Sequence, residues 1–144
     1  MKARIILLAS ILLLSLSWNS CKEEEIDKPA INITVLGYNN SGIGYLGGAF
    51  PVEADIIADG KIENIQIGFR PAGGQFKTVY ASPLWTFDTV YTGLYTGLTT
   101  TTFGENIIIP LTADTGTYTF QFKVTDMEGA QTLVEEEVWF DYGK

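Results

Sequence analysis

Hydrophobic and polar positions alternate with a period of two through most of the chain after residue 30. That spacing buries one face of a β-strand and leaves the other in water. In the run 50–56, Phe50, Val52, Ala54 and Ile56 fall on one side and Glu53 and Asp55 on the other. Ile65, Ile67 and Phe69 alternate with Gln66 and Gly68. The clearest run is 118–124: Tyr118, Phe120, Phe122 and Val124 point inward, and Thr119, Gln121 and Lys123 outward. Turn residues separate these runs, at Asn39-Asn40-Ser41-Gly42, Asp59-Gly60, Gly73-Gly74 and Glu128-Gly129. No segment carries a sustained helical stripe. The pattern predicts strands over 31–37, 49–58, 61–70, 75–80, 105–111, 117–125 and 131–141. About seven short strands with frequent turns predict an all-β chain folded as an antiparallel two-sheet sandwich. The last strand carries a conflict. Val134, Val138 and Phe140 share a face with Glu136, while Leu133 and Trp139 lie opposite. Either a bulge resets its register or it is covered on both sides.

The first residues follow another pattern. Lys2 and Arg4 precede Ile5–Leu16, which is apolar except for Ser10 and Ser15. A charged start and an apolar run of this length match a secretory signal peptide. The run falls short of the roughly 20 residues that span a bilayer. The sole cysteine, Cys21, follows Ser20 and precedes Lys22 and three glutamates. A lone thiol in an exported chain is otherwise open to oxidation or cross-linking. The stretch resembles the signal of bacterial lipoproteins. The resemblance implies that the Cys21 sulfur takes a diacylglycerol and that Cys21 becomes the N-terminus, although Trp18 stands where that family prefers leucine. "CKEEE" resembles the acidic export tag of Bacteroidota lipoproteins. The alternative is an ordinary cut near Ser17, which leaves a free thiol. The organisation expected is a signal peptide over 1–20, an acidic tether over 21–29 and one sandwich domain over 30–144. Lys22, Glu23, Glu24, Glu25, Asp27 and Pro29 cannot build a core, so the tether is expected to be extended and solvated. Nine residues, 22–30, reach at most about 30 Å.

Without residues 1–20, seven Lys and Arg face 17 Asp and Glu, a formal charge of −10. Such a chain repels phosphate backbones, so no nucleic-acid partner is expected. It also lacks the basic patch that binds anionic headgroups. Its membrane contact is expected through the lipid anchor.

One motif narrows the fold. Asp114-Thr115-Gly116-Thr117-Tyr118 resembles the D-x-G-x-Y segment that enters strand F of immunoglobulin-like domains. The resemblance implies a structural corner at Tyr118, with its ring inward and its hydroxyl on an upstream backbone group. Phe120 then stands in place of a disulfide cysteine, and 124–132 forms the next hairpin. Together "PAINITV", "GGAFPVEADI", "LWTFD", "FGENIIIPL" and "GTYTFQFKVTDMEGAQT" are similar to a lipoprotein family of Bacteroidota, domain of unknown function 4625, over residues 29–141. That resemblance implies a single immunoglobulin-like domain on a lipid anchor and no agreed activity. Some relatives carry a histidine after the G-x-Y segment; this chain has none, so no metal-binding role carries over.

The inventory of side chains excludes much chemistry. With no histidine and one cysteine, Ser-His and Cys-His nucleophiles and Cys/His zinc sites cannot form. No Gly-rich loop opens a helix, so phosphate-cradling motifs are absent. Asp88, Glu105, Asp114, Asp126 and Glu128 could supply the paired carboxylates of a glycan-active enzyme, but their spacing marks no pair. No enzymatic activity, metal or cofactor is expected. Asp126 and Glu128, with Asp55 or Asp59, offer too few oxygens for calcium; Asp126 is expected to bond its own turn. Glu135–Glu137 reads as a solvated strand edge. Asp88-Thr89-Val90 resembles an O-glycan acceptor triplet of secreted Bacteroidota proteins, which makes Thr89 a candidate acceptor. Asn32-Ile33-Thr34 matches an N-glycosylation triplet by coincidence.

Two functional readings follow. One is a lipid-anchored outer-membrane or surface module that binds a glycan, a peptide or an outer-membrane protein. The other is a structural spacer or stabilising subunit of an outer-membrane complex. The segment 84–103 carries Trp85, Phe87, Tyr91, Tyr95 and Phe103 with Asp88 as its only charge. Read as a long loop, it is the candidate ligand or partner surface. Read otherwise, it holds an extra strand or short helix, and its aromatics cap the open end of the sandwich.

Overall fold

The computed structural model describes residues 27–73 and 84–143. The expected signal peptide, Cys21, most of the tether and the predicted strand 75–80 lie outside the described residues. Eight strands are present among the described residues: β1 (Ala30–Leu36), β2 (Ile43–Tyr45), β3 (Ala49–Ile57), β4 (Ile62–Pro71), β5 (Phe87–Tyr91), β6 (Thr100–Ile108), β7 (Gly116–Asp126) and β8 (Gln131–Asp141). They form two sheets, one of three strands in the order β1-β3-β6 and one of five in the order β2-β8-β7-β4-β5. The described residues form an all-β unit, and its two sheets enclose one core as a sandwich.

The period-two pattern places the core. Phe50, Val52, Ala54 and Ile56 of β3 are buried, as are Ile65, Ile67 and Phe69 of β4 and Tyr118, Phe120, Phe122 and Val124 of β7. Aromatic rings meet across the sandwich in two groups. Phe69 lies 5.2 Å from Phe50, 5.4 Å from Phe120 and 5.3 Å from Phe140. Phe103 lies 5.3 Å from Phe122. Such edge-to-face and tilted pairs hold beyond their buried area.

Four features differ from the expectation. First, β6 begins at Thr100 and ends at Ile108, where 105–111 was expected. Thr100, Thr101 and Thr102 pair with Ile57, Ile56 and Asp55, since β-branched threonine suits an extended strand. Pro110 has no N–H to continue the ladder. Second, β5 lies inside the segment 84–103 as the edge strand beside β4, which departs from the long-loop reading and matches the reading of an extra strand. Third, β2 was not expected at all, and it pairs with β8 in parallel, so the sandwich is not wholly antiparallel. Here the chain leaves β1 in one sheet and joins the other. Gly37 makes the switch at φ 72°, where a Cβ would stand 2.8 Å from the Ile43 carbonyl oxygen. Gly44 then passes between two buried rings: a Cβ there would lie 2.7 Å from Phe140 and 2.8 Å from Phe50. A three-residue strand with glycine at its centre carries no hydrophobic signal.

The fourth concerns β8. Its register with β7 runs without a shift from Phe140 opposite Gly116 to Gln131 opposite Thr125, so no bulge intervenes. Nor is the strand covered on both sides, since Leu133 is 50% and Trp139 46% exposed. β2 covers only the edge at Trp139–Asp141. Glu136 turns instead into an open gap between β8 and β1, lined also by Ile33, Leu36, Asn40 and Glu137.

Candidate functional site: a glycine-floored dent on the five-stranded sheet

Strands β4 and β7 are central in the five-stranded sheet, and their inward residues are core. The same alternation sends Gln66, Gly68 and Arg70 of β4 outward beside Lys123, Gln121 and Thr119 of β7. On one flank Asp88 of β5 stands opposite Gly68, and on the other Glu135 and Leu133 of β8 stand opposite Gln121 and Lys123. At the centre of this face Gly68 contributes no side chain. The result is a dent of about 180 Å³, lined by Gln66, Gly68, Arg70, Asp88, Gln121, Lys123 and Leu133.

The rim is ordered by hydrogen bonds. Gln66 Nε2 donates to Asp88 Oδ1 at 2.7 Å, and Gln121 Nε2 donates to Glu135 Oε1 at 2.6 Å. Arg70 Nη2 lies 3.9 Å from Asp88 Oδ2. At that length and exposure the ion pair adds little stability, but it helps hold the carboxylate toward the dent. Each glutamine amide spends one N–H on its neighbour and keeps a carbonyl and a second N–H. Donors and acceptors are thus mixed around a small apolar wall, Leu133.

Neither backbone nor packing requires a glycine at 68. A Cβ there would meet only ordinary contacts, the nearest 3.4 Å away at the Phe87 carbonyl oxygen. Glycine within a strand weakens it, and one with no bulge or bend commonly marks a close approach by another group.

The sequence-derived candidates fall elsewhere. Trp85 is partly buried and stacks 5.9 Å from Phe69, 29° from parallel. Phe87 lies 6.0 Å from Phe69. Tyr91 and Tyr95 pack on Phe103 at 5.1 and 5.3 Å. The segment 84–103 therefore holds an edge strand, and these four side chains line the core. Thr89 sits on β5 opposite Ile67 and is partly buried. Tyr118 is fully buried, 4.6 Å from Phe140, and its hydroxyl donates to the Asp114 carbonyl at 3.1 Å. Burial, then the nearby Asp114 carboxylate, push its phenol up to about 12, against the backbone hydrogen bond. The Tyr91 phenol is also raised, by burial and then by Glu105 and Tyr95.

Apart from Asp126 and Glu128, which share one hairpin, the candidate carboxylates are dispersed. Asp88 lies on the outer face of the five-stranded sheet, Glu105 on β6 in the other sheet, and Asp114 and Asp126 toward opposite ends of β7. Asp126 Oδ1 accepts from the Glu128 and Ala130 amides at 3.0 and 2.8 Å, closing the hairpin. Sequence reasoning passed over Gln66, Gly68, Arg70, Gln121, Lys123 and Leu133 as a site. The signal was available: two glutamines and a glycine at outward positions of the two clearest strands.

This arrangement defines a β-sandwich whose two chemically distinct faces are an aromatic core and a polar, dented sheet exterior. The chain belongs to the family described as domain of unknown function DUF4625, whose model matches residues 19–139. Comparison with curated proteins gave no match.

Proposed function

We propose that this chain is a non-catalytic binding module of the cell envelope, lipid-anchored at Cys21 in the outer membrane, whose dented sheet face takes a single sugar unit of a glycan. The observation that carries this reading is Gly68: a glycine that folding does not require, at the floor of a dent ringed by paired amides and carboxylates. Sugar hydroxyls both donate and accept, and the rim offers both. The volume is below the ~300 Å³ at which sites for drug-sized ligands begin, which suits one ring rather than a long chain. An immunoglobulin-like sandwich is the finer fold that we propose. It draws on the Tyr118 hydroxyl at Asp114 and on the way β1 and β2 divide between the two sheets.

The test is Gly68→Val. Valine favours strands and its Cβ has room, so the melting temperature should hold or rise slightly. Binding to envelope glycan fragments, screened on an array and measured by calorimetry, should fall at least tenfold. A Gly68→Val protein that binds as the parent does, or a parent that binds no glycan, would overturn this reading.

A further inference from the structure

We infer that the end of the sandwich from which the N-terminal segment departs rests on the membrane, with Leu94, Leu98 and Met127 entering the headgroup layer of zwitterionic lipid. This rests on the reading of Cys21 as a lipid anchor, and it adds an orientation and a second contact.

Several elements meet at that end. Pro29 accepts a hydrogen bond from the Thr132 hydroxyl, and Ala30 pairs with Ile57. Ile57 pairs with Thr100, and Ile62 with Asp126. The Met127 amide donates to the Lys61 carbonyl at 2.8 Å, and the Gly97 amide to the Ile62 carbonyl at 2.7 Å. The β3–β4 turn, the β5–β6 connection and the β7–β8 hairpin therefore share one end with the start of β1. Cys21 precedes Ala30 by nine residues, a reach of at most about 30 Å. An acyl chain at Cys21 would hold this end within about 30 Å of the bilayer and leave the opposite end farther away.

The β5–β6 connection is shaped for such contact. It reads Tyr-Thr-Gly-Leu twice, over 91–94 and 95–98. In each repeat the tyrosine packs on Phe103 and the leucine faces outward, Leu94 at 88% exposure and Leu98 at 40%. The connection is held in place: the Thr96 hydroxyl accepts from the Gly93 amide and donates to the Glu63 carbonyl, both at 3.1 Å. Met127, half exposed, belongs to the same tip; a Cβ on Gly97 would lie 4.0 Å from its terminal methyl. Single exposed apolar residues are ordinary, but a group of them on a fixed turn marks a contact surface. The opposite end also exposes Tyr38, Leu111 and Tyr142, so hydrophobicity alone does not choose between the ends; the tether does. The turns and strand starts at this end carry Asp59, Lys61, Glu63 and Glu128, three carboxylates and one ammonium. Their net negative charge disfavours an anionic surface, which leaves zwitterionic headgroups as the lipid this end can meet.

The test uses the lipidated chain in vesicles of phosphatidylcholine and phosphatidylethanolamine, with an environment-sensitive fluorophore on Leu94→Cys or, as the distal control, on Leu111→Cys. Flotation of the vesicles reports the anchor separately, with Cys21→Ala as its negative. The expected result is flotation of both labelled proteins, with a blue shift and quenching by spin-labelled lipid only at position 94. Flotation with both positions in water would overturn the orientation while leaving the anchor intact. Failure of the wild type to float would overturn both. Shielding of position 94 in native membranes but not in pure lipid vesicles would assign the tip to a protein partner and overturn the lipid contact.

Discussion

Phe69→Ala is expected to lower the stability of the domain by roughly 3–5 kcal/mol, the scale of a large buried aromatic reduced to a methyl group. Phe69 is fully buried and stands among Phe50, Trp85, Phe87, Phe120 and Phe140, each within 6.0 Å between ring centroids. These rings come from both sheets and from the segment before β5, so one cavity loosens three parts of the fold at once. With total stability typically about 5–15 kcal/mol, much of the folded population is at stake. Phe69→Leu keeps most of the volume and should cost about 1 kcal/mol. Urea unfolding of the two variants beside the parent checks this. A loss below about 1 kcal/mol for the alanine variant would mean that the aromatic group does not carry the core.

The second large effect is at Tyr118. Tyr118→Ala should cost roughly 3–5 kcal/mol for the same reason. Tyr118→Phe should cost about 1 kcal/mol at neutral pH, since it removes only the hydroxyl that donates to the Asp114 carbonyl. The pH dependence separates these roles. The folded state holds the phenolic proton up to about pH 12, whereas an unperturbed tyrosine releases it near 10. Between those values the unfolded chain binds fewer protons than the folded one, so stability falls as pH rises. The contribution is complete below pH 10 and lost by about pH 12, on the order of 2 kcal/mol. Tyr118→Phe lacks this loss. It should be less stable than the parent at pH 7 and draw level with it or overtake it near pH 12. Parallel pH profiles for both proteins would place Tyr118 outside the titration.

The expectations for Tyr118 and Phe69 came from alternation along single strands, a local property, and burial followed it closely. The position of β6 did not, because its threonines carry no hydrophobic signal and pair only once β3 is in place. The aromatic segment 84–103 illustrates the same limit. Its composition suits either a display loop or a core lining. The choice depends on whether the edges of Phe69 and Phe103 have room to receive Trp85, Tyr91 and Tyr95, which they do.

What the sequence determined by itself was the class of fold, the inward faces of β3, β4 and β7 and the tight turn that Asp126 closes, all of which depend on neighbours a few residues apart. Only the tertiary structure decided that β1 and β2 serve different sheets, that Glu136 opens into a gap at the edge and that the dent exists. Gln66, Gly68, Asp88, Gln121, Lys123 and Leu133 come from four strands, of which only β7 and β8 are joined by a tight hairpin. Strand order and register bring them together, and those are set by how two whole sheets exclude water from a shared core, which no local pattern encodes.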